Sequence, residues 1–239
     1  MQEMAENIAF RYIVKKLVSG EMAPGSSVYE SAFIAELGLS RMPVRQAFNK
    51  AVSLGILKRI HGRRGYFLPE LSLEDLVMVM EMRMLLEGTA AFKAAKYATY
   101  EDIYRLKMLQ EEDYRCFHEG TLSEYAVSNE KIHNEIVNIS RNPYLQHSFP
   151  PVYWRSSLYD YKYLFTVTNS PLGVAKTYQE NRPVYCDQHA KIVMSIEKND
   201  PESARSTMEF HVKESLEFLK HSIRFNLNNQ AWNKSTQDI

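Results

Sequence analysis

The sequence predicts a mainly α-helical protein in two parts, a small N-terminal unit of helices closed by a hairpin and a larger bundle made only of helices. Apolar residues recur at helical spacing through most of the 239 residues. Strand-like runs are confined to residues 57–68, and helix-start signals repeat from Ser72 onward. We therefore expect one domain at residues 1–70, a second at 71–230, and a tail at 231–239.

Composition restricts the class of protein. Apolar residues make up 45% of the chain and aromatic residues 12%, which is typical of a globular protein. No apolar run approaches the ~18 residues that a membrane helix needs, and the N-terminus lacks the pattern of a signal peptide. Cys116 and Cys186 are far apart and form neither a disulfide framework nor a zinc motif. These observations predict a soluble, cytoplasmic protein without a membrane partner.

Two helices are predicted before residue 40. The first has an apolar face and ends at Ser19-Gly20, ahead of a Pro24-Gly25 turn. A short second helix should run from about Tyr29 to Leu37 and end at Gly38. The apolar face of the first helix is formed by Ile8, Tyr12, Ile13 and Leu17.

A third helix and a hairpin complete this part. Ser40 is a suitable N-cap for the helix, which should end at Gly55. Runs at 57–60 and 66–68 flank a loop that contains two glycines, Gly62 and Gly65, as a β-hairpin requires. The predicted buried face of the third helix consists of Val44, Ala47, Phe48 and Ala51.

Helix, tight turn, helix and basic hairpin, in this order, predict a winged helix-turn-helix. Arg41, Arg45 and Asn49 share the face of the third helix opposite its apolar residues, as a helix in the DNA major groove requires. Arg63 and Arg64 lie in the hairpin loop, where glycine permits close approach to the DNA backbone. Residues 1–69 contain ten Lys or Arg against five Glu, so this part carries about +5 and the remainder about −5. The alternative is that these arginines form an ordinary solvated surface. It is less favoured because the positive charge, the helix-turn-helix spacing and the hairpin all occur in the same segment.

The run "LGLSRMPVRQAF", residues 37–48, resembles the DNA-binding domain of the GntR family of bacterial transcription regulators. The similarity covers residues 20–68. It implies DNA contacts at the start of the third helix and at the wing. Three positions depart from the usual pattern: Met42 replaces threonine, Gln46 replaces glutamate, and Ser31 stands where many members have arginine. The contacts that the resemblance implies are Ser40, Arg41, Met42, Pro43, Arg45 and Gly65 with its neighbours.

The second part reads as an antiparallel all-α bundle of six or seven helices. A further helix is expected from Pro183 to Lys198, and residues 166–182 are expected to form a loop with room for one short helix. Five capping signals mark the other starts: Ser72 with Asp75, Thr99 with Asp102, Thr121 with Glu124, Asn142 before Pro143, and Asp200 before Pro201.

The opening of this bundle, "MEMRMLLEGTAAFKAA" at residues 80–95, resembles the FCD effector domain of the FadR subfamily. The similarity spans roughly residues 72–225. Members of that group commonly bind a small carboxylate effector, many of them through a divalent metal held by an Asp and three His. The resemblance therefore implies a Zn²⁺, Ni²⁺ or Mn²⁺ site whose matching positions are Asn129, His133, His189 and His211.

The helical pattern supports these four positions independently of the resemblance. Asn129 and His133 lie one turn apart on one face, and His189 and His211 each fall on an apolar stripe of a later helix. One buried histidine is usually a core residue with a hydrogen-bond partner, but three that converge favour a metal. Asn129 offers a neutral carbonyl oxygen in place of a carboxylate, so weaker metal binding is expected.

Three further residues are candidates for effector binding. Arg83 could hold a carboxylate through its guanidinium, but an ion pair with Glu87 one turn on is an equal alternative. Arg155 is a second candidate anion anchor, and Tyr159 could line a pocket or simply pack.

The predicted function is that of a ligand-responsive transcription regulator and not of an enzyme. A homodimer would bind a pseudo-palindromic operator, and a small carboxylate metabolite would change the placement of its two recognition helices. Two alternatives remain open, a regulator with a metal-free organic pocket and a metal-dependent enzyme with an accessory DNA-binding domain. The sequence contains no HExxH, GxSxG or phosphate-loop motif, which disfavours the enzyme.

Overall fold

A computed structural model describes residues 4–120, 122–164 and 174–235 of the chain. The N-terminal domain contains three helices around one apolar core, and two short strands form its wing. Its elements are α1 (Ala5–Val18), β1 (Ser27–Val28), α2 (Glu30–Leu37), α3 (Arg41–Ser53) and β2 (Tyr66–Phe67).

The third helix begins after Ser40 as predicted, ends at Ser53 just before Gly55, and has the predicted buried face. Ser40 occupies the N-cap position in extended conformation, but its side chain makes no capping hydrogen bond. Val44, Ala47, Phe48 and Ala51 are all buried. In α1, however, Ile8 is exposed, whereas Ala9 and Phe10 are buried. The predicted apolar face was wrong at Ile8. Phe10, which it did not include, packs against Trp154 of the second domain, a contact that the local spacing cannot reveal.

The wing is formed by a different pair of strands from the pair that the sequence predicted. β1 pairs with β2 in antiparallel fashion, with Ser27 opposite Phe67 and Val28 opposite Tyr66. From the predicted run at 57–60, only Lys58 pairs, through two backbone hydrogen bonds of 2.8 Å with Phe67. β1 was missed because two residues are too short to show the alternation by which strands are recognised.

The described part of the second domain contains six helices, within the predicted number. α4 is central and packs against α6, α7, α8 and α9. α7 continues into one π-helical turn, Asp160–Leu164. The helices are α4 (Leu73–Tyr97), α5 (Tyr100–Glu119), α6 (Leu122–Ile139), α7 (Pro143–Tyr159), α8 (Val174–Glu197) and α9 (Pro201–Ser235).

Four of the five predicted caps are confirmed. Ser72 Oγ accepts from the Asp75 amide at 3.1 Å, and Thr99 with Asp102 forms the full reciprocal box. Asn142 caps α7 ahead of Pro143, and Asp200 accepts from the Ser203 amide. The fifth, at Thr121, lies outside the described residues.

Two predicted boundaries in the second domain were wrong. α8 already begins at Val174, so residues 174–182 are helical and not a loop, while residues 166–173 lie outside the described part. α9 extends to Ser235, into the predicted tail. Both segments are rich in polar residues, so neither shows the apolar stripe that would reveal a helix.

The two domains share an apolar contact. Trp154, Leu158 and Tyr161, at the end of α7 and in its π-helical turn, join the core of the N-terminal domain. The ring of Trp154 meets Phe10 of α1 edge-on, with centroids 5.7 Å apart. Among the helices that the structure describes, none combines the length and apolarity that a membrane crossing needs.

Candidate metal centre and nucleic-acid interface

Three histidines from three helices meet inside the second domain. His133 lies on α6, His189 on α8 and His211 on α9, and all three side chains are buried. One ring nitrogen of each lies within 4.8 Å of those of the other two. Their ring centroids are 4.7 to 5.2 Å apart. The predicted convergence of these three residues is therefore present in the fold.

Each imidazole is oriented by an oxygen acceptor at its Nδ1 atom. His133 Nδ1 contacts the Glu87 carboxylate, His189 Nδ1 lies 2.9 Å from Asp113 Oδ2, and His211 Nδ1 lies 2.8 Å from Gln188 Oε1. Because an oxygen acceptor requires an N–H donor, Nδ1 carries the proton in each ring. The Nε2 atom then presents a lone pair, as in metal sites where a second residue fixes the histidine tautomer. The acceptors are contributed by α4, α5 and α8.

The Nε2 atoms of His133 and His189 are buried without a hydrogen-bond partner among the described residues. An unsatisfied buried polar atom costs about 1–3 kcal/mol, so a ligand at this point would remove a penalty from the fold. Burial also lowers the pKa of His133, and burial together with the neighbouring histidines lowers that of His211 well below its usual value. Neutral imidazoles are the form that coordinates Zn²⁺, Ni²⁺ and Mn²⁺, so these residues fit the metal that the sequence implies.

Arg83 forms the ion pair that the sequence left as its alternative role. Its Nε donates to Glu87 Oε1 at 2.5 Å, and its Nη1 donates to Ser156 Oγ at 3.3 Å. Burial alone would raise the pKa of Glu87, but the charge of Arg83 and the hydrogen bonds with Arg83 and His133 lower it to about 2. Glu87 is therefore an ionised carboxylate that connects Arg83 to a histidine of the cluster. Effector binding by Arg83 stays a prediction.

Asn129 lies one turn before His133, beside the histidine cluster. Its Nδ2 donates to the hydroxyl of Tyr153 at 2.8 Å, and the Tyr153 ring is 5.7 Å from the ring of His133. The guanidinium of Arg83 lies 4.9 Å from the same tyrosine ring. One side of the cluster thus contains an amide, a phenol and a guanidinium. Metal ligation by Asn129 stays a prediction.

Arg155 and Tyr159 have their contacts at the N-terminal end of α4. Arg155 Nε donates to Asp75 Oδ2, and its Nη2 donates to the Glu70 carbonyl, both at 2.9 Å. The Tyr159 hydroxyl contacts Asp75 and donates to the Ser72 carbonyl at 3.0 Å. The structure therefore places these two candidates at the segment that joins the domains, and not with Asn129 and the three histidines.

The predicted DNA contacts of α3 form one accessible face. Ser40, Arg41, Met42, Arg45 and Asn49 are exposed, while Pro43 is half-buried. Asn49 Oδ1 accepts from Arg59 at 3.4 Å, and Arg59 also contacts the Tyr66 hydroxyl. Arg59 therefore links α3 to the wing.

The loop of the wing contains two arginines. Arg63 and Arg64 are exposed at its tip. Gly65 has φ +93°, and a Cβ there would lie 2.9 Å from a ring carbon of Tyr29. Glycine is thus required where the wing returns over the start of α2. A groove of about 660 Å³ separates the wing from α2 and α3, and Arg41, Arg59 and Arg63 line it.

Comparison with known families assigns both domains. The family profile described as "Bacterial regulatory proteins, gntR family" matches residues 6–67, and the FCD domain profile matches residues 78–214, more than half of the chain. The protein belongs to the GntR family of bacterial regulators with an FCD domain. Its role as a transcriptional regulator follows from this membership.

Relatives of this GntR regulator extend over most of its length. A probable D-xylose utilization operon transcriptional repressor of Paenarthrobacter nicotinovorans is 27% identical over 215 residues, 88% of this chain and 87% of the relative. The HTH-type regulator YdhC of Bacillus subtilis is 24% identical over 213 residues, 89% of both chains. Among solved structures, McbR/YncC of E. coli matches with TM-score 0.73 at 19% identity, over 93% of this chain and all of its own. A GntR protein from Rhodococcus sp. RHA1 matches with TM-score 0.68 at 14% identity, over 91% and 97%. The two structures share the fold of this regulator.

The residues around the histidines were the main omission of the sequence reasoning. Glu87 was noticed only as a partner of Arg83, and Asp113 and Gln188 were not singled out. Gln188 is adjacent to His189 in sequence but accepts from His211, so only the packing of α8 on α9 reveals its role. A search for carboxylates on the inward faces of α4 and α5 would have found the other two.

Proposed function

We propose that this GntR regulator is a homodimer that binds a pseudo-palindromic operator through its winged domains and responds to a small carboxylate. The carboxylate binds in the FCD domain next to a divalent metal held by His133, His189 and His211. The observation that carries the proposal is the pair of buried, unpartnered Nε2 atoms in a cluster whose Nδ1 atoms are all held by acceptors.

The exposed arginines of α3 support direct contact with DNA. Arg41 and Arg45 are one turn apart and accessible, and an arginine side chain can bind guanine O6 and N7 with two hydrogen bonds. Arg63 and Arg64 extend the same basic surface at the wing. Two-fold operators match the symmetry of a dimer, so each protomer would occupy one half-site.

The surroundings of the cluster support an anionic effector. A metal held by three histidines would supply open coordination positions for a carboxylate oxygen. On the chain itself, Asn129, Tyr153 and Arg83 provide hydrogen-bond donors near His133. Hydrogen-bond donors of this kind stabilise a bound carboxylate and would disfavour a positively charged effector.

α7 offers a route from the effector to the DNA-binding domain. Tyr153 contacts the cluster side, and the next residue, Trp154, packs against Phe10 of α1. An effector that bonds to Tyr153 would act on the helix that joins the two domains. Binding would change operator affinity only if it stabilises one placement of the domains over another.

Two alternatives have different requirements. Asn129 favours a pocket that binds an organic effector without a metal, because an amide is a poorer metal ligand than a carboxylate. An enzymatic role is less favoured, because family and relatives are regulators; it would require turnover of a metabolite that is lost in His211→Ala.

The deciding experiment is metal analysis of protein purified without chelator, combined with operator binding. We expect a stoichiometric divalent metal in the wild type, and its loss in His133→Ala and in His211→Ala. His147→Ala removes an exposed histidine of α7 and should retain the metal. Operator affinity of the metal-loaded wild type should change when small carboxylates are added, and this change should disappear in the two cluster variants.

Each outcome separates the alternatives. Metal that persists in both cluster variants would contradict the site. A carboxylate response in a wild type that contains no metal would favour the organic pocket instead.

A further inference from the structure

A cleft of about 1100 Å³ lies between the two domains. Helices α1 and α3 line it from the N-terminal domain, and α5 and α6 line it from the second domain. None of His133, His189 and His211 is among its lining residues. Small molecules bind preferentially in concave sites, and many of these sites lie at domain interfaces. The cleft is therefore a candidate binding site separate from the histidine cluster.

Apolar surface is left uncovered inside this cleft. Met108 of α5 and Val127 of α6 line it and are 50% and 44% exposed. Val14 of α1 and Leu109 of α5 line it as half-buried side chains. Removing apolar surface from water is favourable, so an apolar group of a ligand would be stabilised here.

Most of the charged side chains on the second-domain side of the cleft are already paired. Arg105 forms a salt bridge with Glu135, and Lys131 forms one with Glu112, both at 2.8 Å. Within the described part of the chain, Glu130 of α6 has no cation in such a pair. The opposite side of the cleft, formed by the N-terminal domain, contains cations. They are Arg11, Lys15 and Lys50.

Lys50 and Glu130 carry opposite charges on the two sides of the cleft without forming a direct salt bridge. The ammonium group of Lys50 lies 4.5 Å from the centre of the Phe10 ring, and the half-buried Glu130 carboxylate accepts from Asn134 Nδ2 at 3.4 Å. Burial raises the pKa of the Glu130 carboxyl and the charge of Lys50 partly opposes this, so the two groups are near enough to interact. A carboxylate that is removed from water without a bonded cation is unfavourable. A ligand with both an ammonium group and a carboxylate would pair with both side chains.

We propose that this cleft binds a free amino acid with an apolar side chain, a zwitterion whose ammonium group pairs with Glu130 and whose carboxylate pairs with Lys50. Charge-assisted hydrogen bonds of this kind are stronger than neutral ones. The side chain of the amino acid packs on the uncovered surface of Met108 and Val127. The site needs no metal and does not rest on the proposed function. Because Lys50 belongs to α3, the bound amino acid would connect the helix that carries the DNA contacts with α6.

The first test compares three ligands by isothermal titration calorimetry of the wild-type protein. Phenylalanine carries both charges, phenethylamine lacks the carboxylate, and hydrocinnamate lacks the ammonium group, while all three keep the phenyl ring. We expect phenylalanine to bind and each analogue to bind at least about 10-fold more weakly, because each analogue has lost one charge-assisted hydrogen bond. Equal affinity for the three compounds, or no binding of phenylalanine, overturns the proposal.

The second test removes one charge of the protein at a time. Lys50→Gln should weaken phenylalanine binding about 10-fold and leave the affinity for phenethylamine unchanged, because that analogue has no carboxylate. Glu130→Gln should likewise weaken phenylalanine binding and leave the affinity for hydrocinnamate unchanged. Lys198→Gln and Glu202→Gln change exposed residues outside the cleft and are the matched controls. If Lys50→Gln weakens both analogues alike, the assigned orientation of the amino acid is wrong.

A third variant distinguishes this site from the proposed metal centre. His211→Ala removes a proposed metal ligand and should retain the wild-type affinity for phenylalanine, since His211 does not line the cleft. Loss of phenylalanine binding in His211→Ala, together with full binding in Lys50→Gln, would place the amino acid at the histidine cluster and overturn the proposal. Loss of metal from His211→Ala with intact phenylalanine binding would support both sites. Retained metal with intact phenylalanine binding would contradict the metal site and support the cleft.

Discussion

At the scale of single residues, the candidate centre depends on which atom of each side chain is already engaged. His133 has its Nδ1 held by Glu87, which leaves Nε2 available. Asn129, one turn away, uses its amide nitrogen for Tyr153. An amide oxygen is a weak ligand for these cations, so an asparagine at position 129 would limit the affinity of the proposed site for a metal.

Asn129→Asp should strengthen metal binding. The carboxylate adds a charged oxygen ligand, and the Tyr153 hydroxyl can donate to it where it now accepts from the amide. We expect affinity to rise on the order of 10-fold, measured by competition with a chelator of known affinity. Asn138→Asp, an exposed position on the same helix, adds the same charge and should have little effect. Equal or weaker affinity in Asn129→Asp would contradict its placement as a ligand.

At the scale of elements, α3 and the wing form one basic unit. The apolar face of α3 is fully buried, which fixes the direction in which Arg41 and Arg45 project. Arg59 connects Asn49 of α3 with Tyr66 of β2, and Tyr66 in turn donates to Glu30 of α2 at 2.7 Å. This network maintains the spacing between α3 and the wing, which must fit adjacent grooves of DNA.

Arg45→Ala should weaken operator binding by about 1–3 kcal/mol and relax the preference at one base position. The measurement is a titration at several fixed salt concentrations, because phosphate contacts make affinity depend on salt. Arg115→Ala removes an exposed arginine from α5 and serves as the matched control for net charge. If both variants bind the operator alike, Arg45 of α3 does not contact bases in the major groove.

At the scale of the whole molecule, α7 and the joining segment hold the domains together. Trp154 is buried against Phe10. Arg155 donates hydrogen bonds both to the Glu70 carbonyl and to Asp75, at the point where the chain enters α4. A signal that travels from the histidine cluster along α7 would reach the DNA-binding domain at this contact.

Trp154→Ala should reduce both the stability of the fold and the effect of the effector on operator affinity. Removing a buried tryptophan costs about 3–5 kcal/mol, and calorimetry should show the two domains unfolding less cooperatively. Tyr144→Ala, at an exposed aromatic position on the same helix, is the control. We expect Trp154→Ala to retain metal while losing most of the effector-dependent change in operator affinity. A full response in this variant would show that the signal takes another route.

Much of the fold could be predicted because its signals are local. The buried face of α3, the caps at Ser72, Thr99 and Asn142, and the number of helices all follow from spacing within a few residues. β1 and the start of α8 could not be predicted in this way. A two-residue strand exists only because β2 pairs with it, and the first turns of α8 lack an apolar stripe.

For the candidate site, the sequence by itself determined the three histidines, the basic face of α3 and the family to which both domains belong. Tertiary structure decided what surrounds them: that Glu87, Asp113 and Gln188 orient the imidazoles, that Arg83 pairs with Glu87, and that Arg155 and Tyr159 belong to the domain junction. The reason is physical. Helical periodicity shows which face a residue occupies, but a hydrogen bond between helices depends on their relative depth and rotation, which only the packing of the whole core determines.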